Sequence, residues 1–281
     1  MLSPEQKQSQ QQIIAELGVQ PMIQAVSELG RRIAFIKQYL RQSGAQRLVI
    51  GISGGIDSLV VGCMAQQAVE QLRREGYEAQ FIALRLPYGV QSDAADADAA
   101  IHHIQPDRTL SVNIQPATDA MLHSLRQAGQ SFSCAAQQDF VMGNAKARQR
   151  MIVCYAVAAA EFGLVLGSDH AAEVLMGYFT KYGDGAADLM PLAGLTKSQV
   201  RELAVQCDIP THLVEKVPTA DLESLTPLLP DEAAFGLNYS EIDAFLTGQE
   251  VSSEAFEIIL RHYRNGEHKR KLPASPLTAS F

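Results

Sequence analysis

The sequence predicts an α/β fold, a doubly wound parallel sheet flanked by helices, and three observations carry that prediction. From Arg47 onward, short apolar runs alternate with longer stretches of helical periodicity. The first of these runs ends in a glycine-rich turn that leads straight into a helix, over Gly51 to Ser58. At 281 residues and 47% hydrophobic composition, the chain has enough apolar surface for one large domain, with too few charges for disorder.

Residues 3–46 predict two helices, because Ile13, Ile14 and Leu17 recur at helical spacing and Ile33, Ile36 and Leu40 do so again. This segment packs on the main domain or on a second subunit. Strands are predicted over 47–52 (RLVIGI), 79–86 (AQFIALRL), 109–114 (TLSVNI) and 164–167 (LVLG), with helices over 57–74, 92–104 and 137–162 between them. Strands separated by helices in this rhythm imply a parallel sheet covered on both faces, whose ligands sit beyond the carboxyl ends of the strands. Further helices are expected over 170–178, 197–206 and 239–247, joined by segments carrying Gly, Pro and Thr, and the last ten or so residues read as a loosely ordered tail.

Lys and Arg total 23 against 31 Asp and Glu, a net charge of −8, which argues against a surface built for nucleic acid. The longest apolar run, Met151 to Ala160, stops at Glu161 and is too short to span a bilayer. The Gln-rich start has no apolar signal-peptide core. A cytoplasmic protein without membrane contact is therefore expected. Cys63, Cys134, Cys154 and Cys207 match neither a zinc knuckle nor a CxxC pair, and Cys63 and Cys154 lie in apolar helical stretches where a thiol acts as a small hydrophobe.

The chemistry concentrates at Gly51-Ile52-Ser53-Gly54-Gly55-Ile56-Asp57-Ser58. Gly54 and Gly55 let the backbone turn tightly, Ser53 and Ser58 add hydroxyls, and several amide N–H groups at a helix N-terminus favour an anion such as phosphate. Asp57 does not attract that anion itself, but it makes sense if a divalent cation stands between them. From the residues alone the alternative is an ordinary strand-to-helix turn with Asp57 serving the helix dipole. Neither the P-loop Gly-Lys-Ser/Thr nor GxGxxG is present. Taken singly, Glu173 reads equally as a surface helix carboxylate, Ser168 as an N-cap, Lys197 as a solvated charge, and Arg148 and Arg150 as exposed helix charges. His170 and Glu173 are three apart, without the HExxH of a zinc protease.

SGGIDS resembles the SGGxDS loop of the ATP pyrophosphatases, which cleave ATP between its α and β phosphates and pass AMP to a substrate oxygen. Five further segments resemble the ammonia-dependent NAD synthetase family: GNAKARQRM (Gly143 to Met151), LGSDHAAE (Leu166 to Glu173), FTKYGDGAADLMPLAGLTK (Phe179 to Lys197), EKVPTADLE (Glu215 to Glu223) and EHKRKLPAS (Glu267 to Ser275). The likeness runs from about residue 30 to 275. It implies a Rossmann-like fold of the adenine nucleotide alpha hydrolase type. The chain is then a single domain, with N-terminal helices over 1–46, the ATP pyrophosphatase core over 47–275 and a tail over 276–281.

The resemblance implies that Gly51, Ile52, Ser53, Gly54, Gly55, Ile56, Asp57 and Ser58 bind ATP together with Ser168, Lys197 and Thr219, and that Asp57 and Glu173 hold Mg2+. It assigns Arg148, Lys181, Asp188, His268 and Lys269 to deamido-NAD. The implied reaction joins ammonia to deamido-NAD through an adenylated intermediate, with ATP as co-substrate and no protein nucleophile. The stretch 219–236 is expected to close over that intermediate and exclude water. A homodimer is implied, with the dinucleotide at the subunit boundary, and the N-terminal helices fit that role.

Departures from the family pattern are Ser168 where Thr is usual, Ile56 where Gln or Val is common, and a C-terminal end of Pro-Leu-Thr-Ala-Ser-Phe in place of an aromatic, acidic one. The large glutamine-hydrolysing domain of some relatives has no counterpart here, so free ammonia is the expected nitrogen source. Two other readings share the loop: an ATP pyrophosphatase with a different acceptor, such as a base or a tRNA, and a nucleotide-binding sensor without turnover.

Overall fold

The apolar runs become a sheet because their residues have somewhere to go on both faces. The computed structural model describes residues 2–90, 94–220 and 222–276. In it, α1 (Pro4–Leu17) and α2 (Ala25–Ser43) precede β1 (Arg47–Gly51), α3 (Ile56–Arg74), β2 (Gln80–Arg85), α4 (Ala94–Ile104) and β3 (Arg108–Ser111). The chain then forms α5 (Gln115–Gln127), α6 (Ala135–Ala160), β4 (Gly163–Val165), α7 (Ala171–Met176), α8 (Lys197–Gln206) and α9 (Thr211–Val214). Last come β5 (Thr219–Ala220), β6 (Leu229–Pro230), α10 (Asp231–Phe235), α11 (Tyr239–Leu246), α12 (Ser253–Asn265) and α13 (Glu267–Arg270).

The main sheet is parallel, as the sequence predicts, and its strands lie in the order β3-β2-β1-β4. Leu48 and Ile50 of β1 with Phe81 and Ala83 of β2 join the core under α2, α3, α4 and α8. Val49, Ile82 and Leu84 face the other way, against Cys154 and Ala158 of α6. Period-two alternation thus feeds two separate cores, the physical content of double winding. The chain proceeds outward from β1 through β2 to β3, then crosses by α6 to β4 on the other side of β1. The reversal leaves a crevice beyond the carboxyl ends of β1 and β4, the place where such sheets receive ligands.

Several boundaries shift from those expected. Strand three ends at Ser111 rather than Ile114, yet the Val112 and Ile114 amides still donate to the carbonyls of Arg85 and Pro87, both 2.9 Å, so the chain runs on beside β2. The fourth strand is only Gly163–Val165, extended by a parallel bridge from Leu166 to Leu189. Helix α5 is a further element beyond those expected: Thr118, Met121, Leu122 and Leu125 recur at helical spacing, but the helix fully buries only Thr118. Helix α12 is another such element: Ser252 accepts from the Ala255 amide as an N-cap, and Ala255, Phe256 and Ile259 line one buried face. The expected helix over 92–104 begins within residues that lie outside the described ones, and so does the tail after Pro276.

Both N-terminal helices pack on their own domain. Ile33, Ile36 and Leu40 of α2 enter the core beneath α3 and α8, while Ile13 and Ile14 of α1 join a separate cluster with α7, α11 and α12. Buried Arg32 fastens α2 to the segment before α8 by donating to the carbonyls of Pro191 and Ala193. Among the described residues no helix is long and apolar enough to cross a membrane. All four cysteines are free thiols, as expected.

Leu40 is fully buried in the α2 interface. Leu40→Ala should therefore lower the unfolding free energy by about 2–5 kcal/mol, read from urea unfolding. A loss below about 1 kcal/mol would mean that α2 is not part of the cooperative core.

Candidate active site

The turn after β1 is braced by its own hydroxyls. Ser53 Oγ accepts from the Gly55 amide at 3.2 Å, Ser58 Oγ accepts from the Ser53 amide at 3.3 Å, and Ser58 Oγ reaches the Gly55 carbonyl at 3.3 Å. These bonds hold Gly51 to Gly55 in a closed bend in front of α3, so Ser53 and Ser58 shape the cradle from within. Gly54 has φ +91°, and a Cβ there would lie 2.7 Å from the Ala97 amide nitrogen of α4. Only glycine meets both constraints.

Asp57, in the first turn of α3, meets Lys197 at the start of α8. Lys197 is fully buried, and its Nζ donates to both Asp57 oxygens at 2.7 and 2.9 Å. Its position is fixed from behind. Thr196 caps α8 in a capping box with Gln199, and Asp243 of α11 accepts from the amides of Lys197 and Ser198 at 3.1 and 2.8 Å. The Lys197 ammonium also lies 5.2 Å from the centre of the Tyr239 ring.

His170 and Glu173, delivered by the turn after β4, complete the cluster. His170 is fully buried, and its Nε2 lies 3.4 Å from Lys197 Nζ, 3.6 Å from Asp57 and 3.5 Å from Glu173. The Glu173 carboxylate accepts from the His170 amide at 3.2 Å. One ligand atom each from Asp57, His170 and Glu173 falls within a 4.8 Å span, a spacing that suits a metal ion. The two carboxylates supply the hard oxygen donors that Mg2+ prefers, and the residues present fit such a cation.

Burial and charge set the protonation of this cluster. Burial acts to raise the Asp57 carboxyl, but the Lys197 ammonium, His170 and the Lys197 hydrogen bonds outweigh it and hold the group below the usual carboxylate range. Glu173 goes the other way: burial and the Asp57 charge lift it well above that range. His170 is pushed down to about 3, by burial first and the Lys197 ammonium second, so its imidazole is neutral at pH 7. Buried Asp169 is raised to about 8 by burial and by the charges of Asp184 and Asp57.

The residues assigned to the dinucleotide form a second group. Arg148 of α6 donates to the Lys181 carbonyl at 3.3 Å, Lys181 Nζ to the His268 carbonyl, and Lys269 Nζ to the carbonyls of Gly177 and Phe179 at 2.9 and 2.8 Å. Arg148, Lys181, His268 and Lys269 are thereby brought together from three parts of the chain. Asp188 stands apart in function: its carboxylate accepts from the Val165 amide at 2.7 Å and ties the 188 segment to β4. Ser168, partly exposed, follows Gly167 in the turn after β4, where a Cβ at Gly167 would strike Met190 Sδ. Thr219 lies in the short β5–β6 pair.

Sequence reasoning missed the residues that join these pieces. Lys216 Nζ pairs with Asp96 of α4 at 2.7 Å and reaches the Gly54 carbonyl at 3.4 Å, which brings the 216–219 segment to the turn. Buried Lys146 of α6 donates to the Leu222 carbonyl and Ser224 Oγ at 2.7 and 2.8 Å, while Asp139 accepts from the amides of Ser224 and Leu225. Asp231, at the start of α10, accepts from the Tyr239 hydroxyl at 2.9 Å. The stretch expected to cover the site is thus pinned at both ends, although Asp221 lies outside the described residues. No one-dimensional pattern distinguishes these lysines and aspartates from surface charges.

Asp169 offers a pH test. Unfolded, it ionises near 3.8; folded, it keeps its proton up to about 8. Its contribution to stability is complete below about pH 4 and is lost as pH rises through about 8. Asn at this position does not titrate, so the melting temperature of Asp169→Asn minus that of the wild type should climb between these limits and then level off. A difference that stays flat with pH would show that Asp169 is not held protonated.

The family model for NAD synthase matches residues 28–273. The NH(3)-dependent NAD(+) synthetase of Burkholderia ambifaria (strain MC40-6) is 54% identical over 273 residues, covering 97% of each chain. Among solved structures, the NAD+ synthetase from Burkholderia pseudomallei is 50% identical with a TM-score of 0.84, covering 97% of this chain and 100% of its own. The NMN synthetase from Francisella tularensis is 36% identical with a TM-score of 0.79, covering 91% and 99%. A loop of the expected kind at the switch point of the expected sheet, joined to likeness over nearly the full length, leads to one conclusion: the chain belongs to the NAD synthase family.

Proposed function

We infer that the chain is an ammonia-dependent NAD synthetase, a ligase that amidates deamido-NAD at the expense of ATP and releases NAD, AMP and pyrophosphate. The observation that carries this reading is the Asp57–Lys197–His170–Glu173 cluster in front of the glycine turn, with Lys197 and His170 fully buried and the two carboxylates partly so. Such a cluster serves a polyphosphate and a cation together.

In the first step an oxygen of the pyridine carboxylate attacks the α-phosphorus of ATP, and the bond to the bridging oxygen breaks to release pyrophosphate. In the second, ammonia attacks the activated carbonyl; the carbon–oxygen bond to AMP breaks and ammonia gives up a proton. The amide groups of Gly51 to Ser58 and the N-terminal end of α3 suit the ATP phosphates, and Lys197 neutralises charge on them. Ser168 and Thr219 add hydroxyl contacts to ATP. Asp57 and Glu173 hold Mg2+, which supplies charge neutralisation at the phosphate oxygens when bound. Arg148, Lys181 and Lys269 offer cationic groups to the acidic dinucleotide, with His268 beside them, and Asp188 serves it from the segment that it ties to β4. Catalysis is then positioning and charge stabilisation, with no side chain forming a covalent bond.

A homodimer and a cytoplasmic location complete the proposal. The N-terminal helices are engaged in their own domain, so the better support for a dimer lies on α5 and α6, where Met121, Phe140, Val141 and Ile152 are exposed.

Purified protein supplied with ATP, Mg2+ and ammonium should form NAD and AMP from deamido-NAD, and faster than it amidates the corresponding deamidated mononucleotide. Product from the mononucleotide alone would replace this reading with that of the mononucleotide relative, and AMP release from neither would overturn it. Asp57→Asn should reduce kcat by about a hundredfold or more, as loss of a charge-stabilising contact does. Unchanged turnover would remove Asp57 from the mechanism.

A further inference from the structure

The Lys197 ammonium engages the very oxygens of Asp57 that a divalent cation would need. It donates to both at 2.7 and 2.9 Å, and its Nζ also lies 3.4 Å from the imidazole nitrogen that faces Glu173. A cation bonded to Asp57 would sit about 2.1 Å from the carboxylate oxygen. Ammonium and cation would then lie within a few ångströms of each other, a like-charge contact that is strongly repulsive away from bulk water. They cannot share the carboxylate as it stands. Lys197 cannot retreat into solvent, because the side chain is fully buried and its backbone is clamped by Thr196 and Asp243.

We propose that Lys197 is a built-in stand-in for the divalent cation, displaced from Asp57 only when polyphosphate oxygens are present to accept its ammonium, so that cation and triphosphate load together. The inference rests on the reading of Asp57 and Glu173 as cation ligands and adds an order to their use. Displaced without another anion in reach, Lys197 would be a buried unpaired charge, which is strongly unfavourable. The phosphate chain on the glycine turn is that other anion. A lysine that served only the phosphates would help the cation indirectly or not at all, whereas a stand-in opposes it whenever nucleotide is missing.

The test measures Mn2+ binding by the EPR signal of the free ion, without turnover. Four samples are compared: Mn2+ with wild type and with Lys197→Met, each without and with the α,β-methylene analogue of ATP, which resists cleavage at the reacting bond, and the analogue samples are read against the same Mn2+–analogue mixture without protein. Wild type should bind Mn2+ weakly alone and much more tightly with the analogue. Lys197→Met alone should bind at least about tenfold more tightly than wild type alone. Equal or weaker binding by the variant, with wild type still responding to the analogue, overturns the proposal and leaves the cation reading in place. No binding by wild type even with the analogue overturns both. Circular dichroism checks that the variant folds; if it does not, wild type decides the matter. Tight stoichiometric Mn2+ on the free enzyme, lost in Asp57→Asn, would overturn the proposal, and its absence until the analogue is added would support it.

Discussion

One buried ammonium organises the functional end of this protein. Lys197 has no exposed surface, and its charge is met by Asp57, a residue 140 positions away in the chain. A charge removed from water to this degree persists only with a fixed partner, so the starts of α3 and α8 are tied to one point in space. Every other feature of the site is arranged around that tie: the glycine turn lies in front of α3, and the turn after β4 brings His170 and Glu173 against the same carboxylate.

Such a pair is a poor device for stability, since burying both ions offsets most of their attraction. Its surroundings hold it in one geometry. Asp243 and Thr196 fix the backbone of Lys197, Tyr239 covers its ammonium, and Asp231 ties that tyrosine to α10. The imidazole between the carboxylates is held neutral, and burial together with the Asp57 charge pushes the Glu173 carboxyl well above its ordinary range. Preorganisation of this kind is what phosphoryl chemistry without a protein nucleophile requires.

Much of this was legible in one dimension. Gly54 marked the turn because only glycine tolerates its geometry there, and Asp57 stood out because an acid in a phosphate cradle calls for a cation beside it. The strands were readable from apolar runs, whereas the assignment of Leu48 and Ile50 to one core and Val49 to the other came from the packing. Helix α5 is a different case: Thr118, Met121, Leu122 and Leu125 keep helical spacing, but the stripe is short and the helix fully buries only Thr118. Lys146, Asp139 and Lys216 were invisible for another reason: their partners, Leu222, Ser224 and Gly54, lie far away in sequence, and nothing local separates a pinning charge from a solvated one.

Local pattern thus determined the α/β rhythm, the position of the glycine turn and the kind of chemistry it serves, because backbone freedom, side-chain period and charge type are properties of residues and their near neighbours. Which acid meets which base was decided only by the tertiary structure. Asp57 pairs with Lys197, and His170 lies between two carboxylates as a neutral ring, because the crossover through α6 sets β4 beside β1 and aims two distant turns at one crevice. Contact between remote residues depends on how the elements pack, and packing is a property of the whole chain.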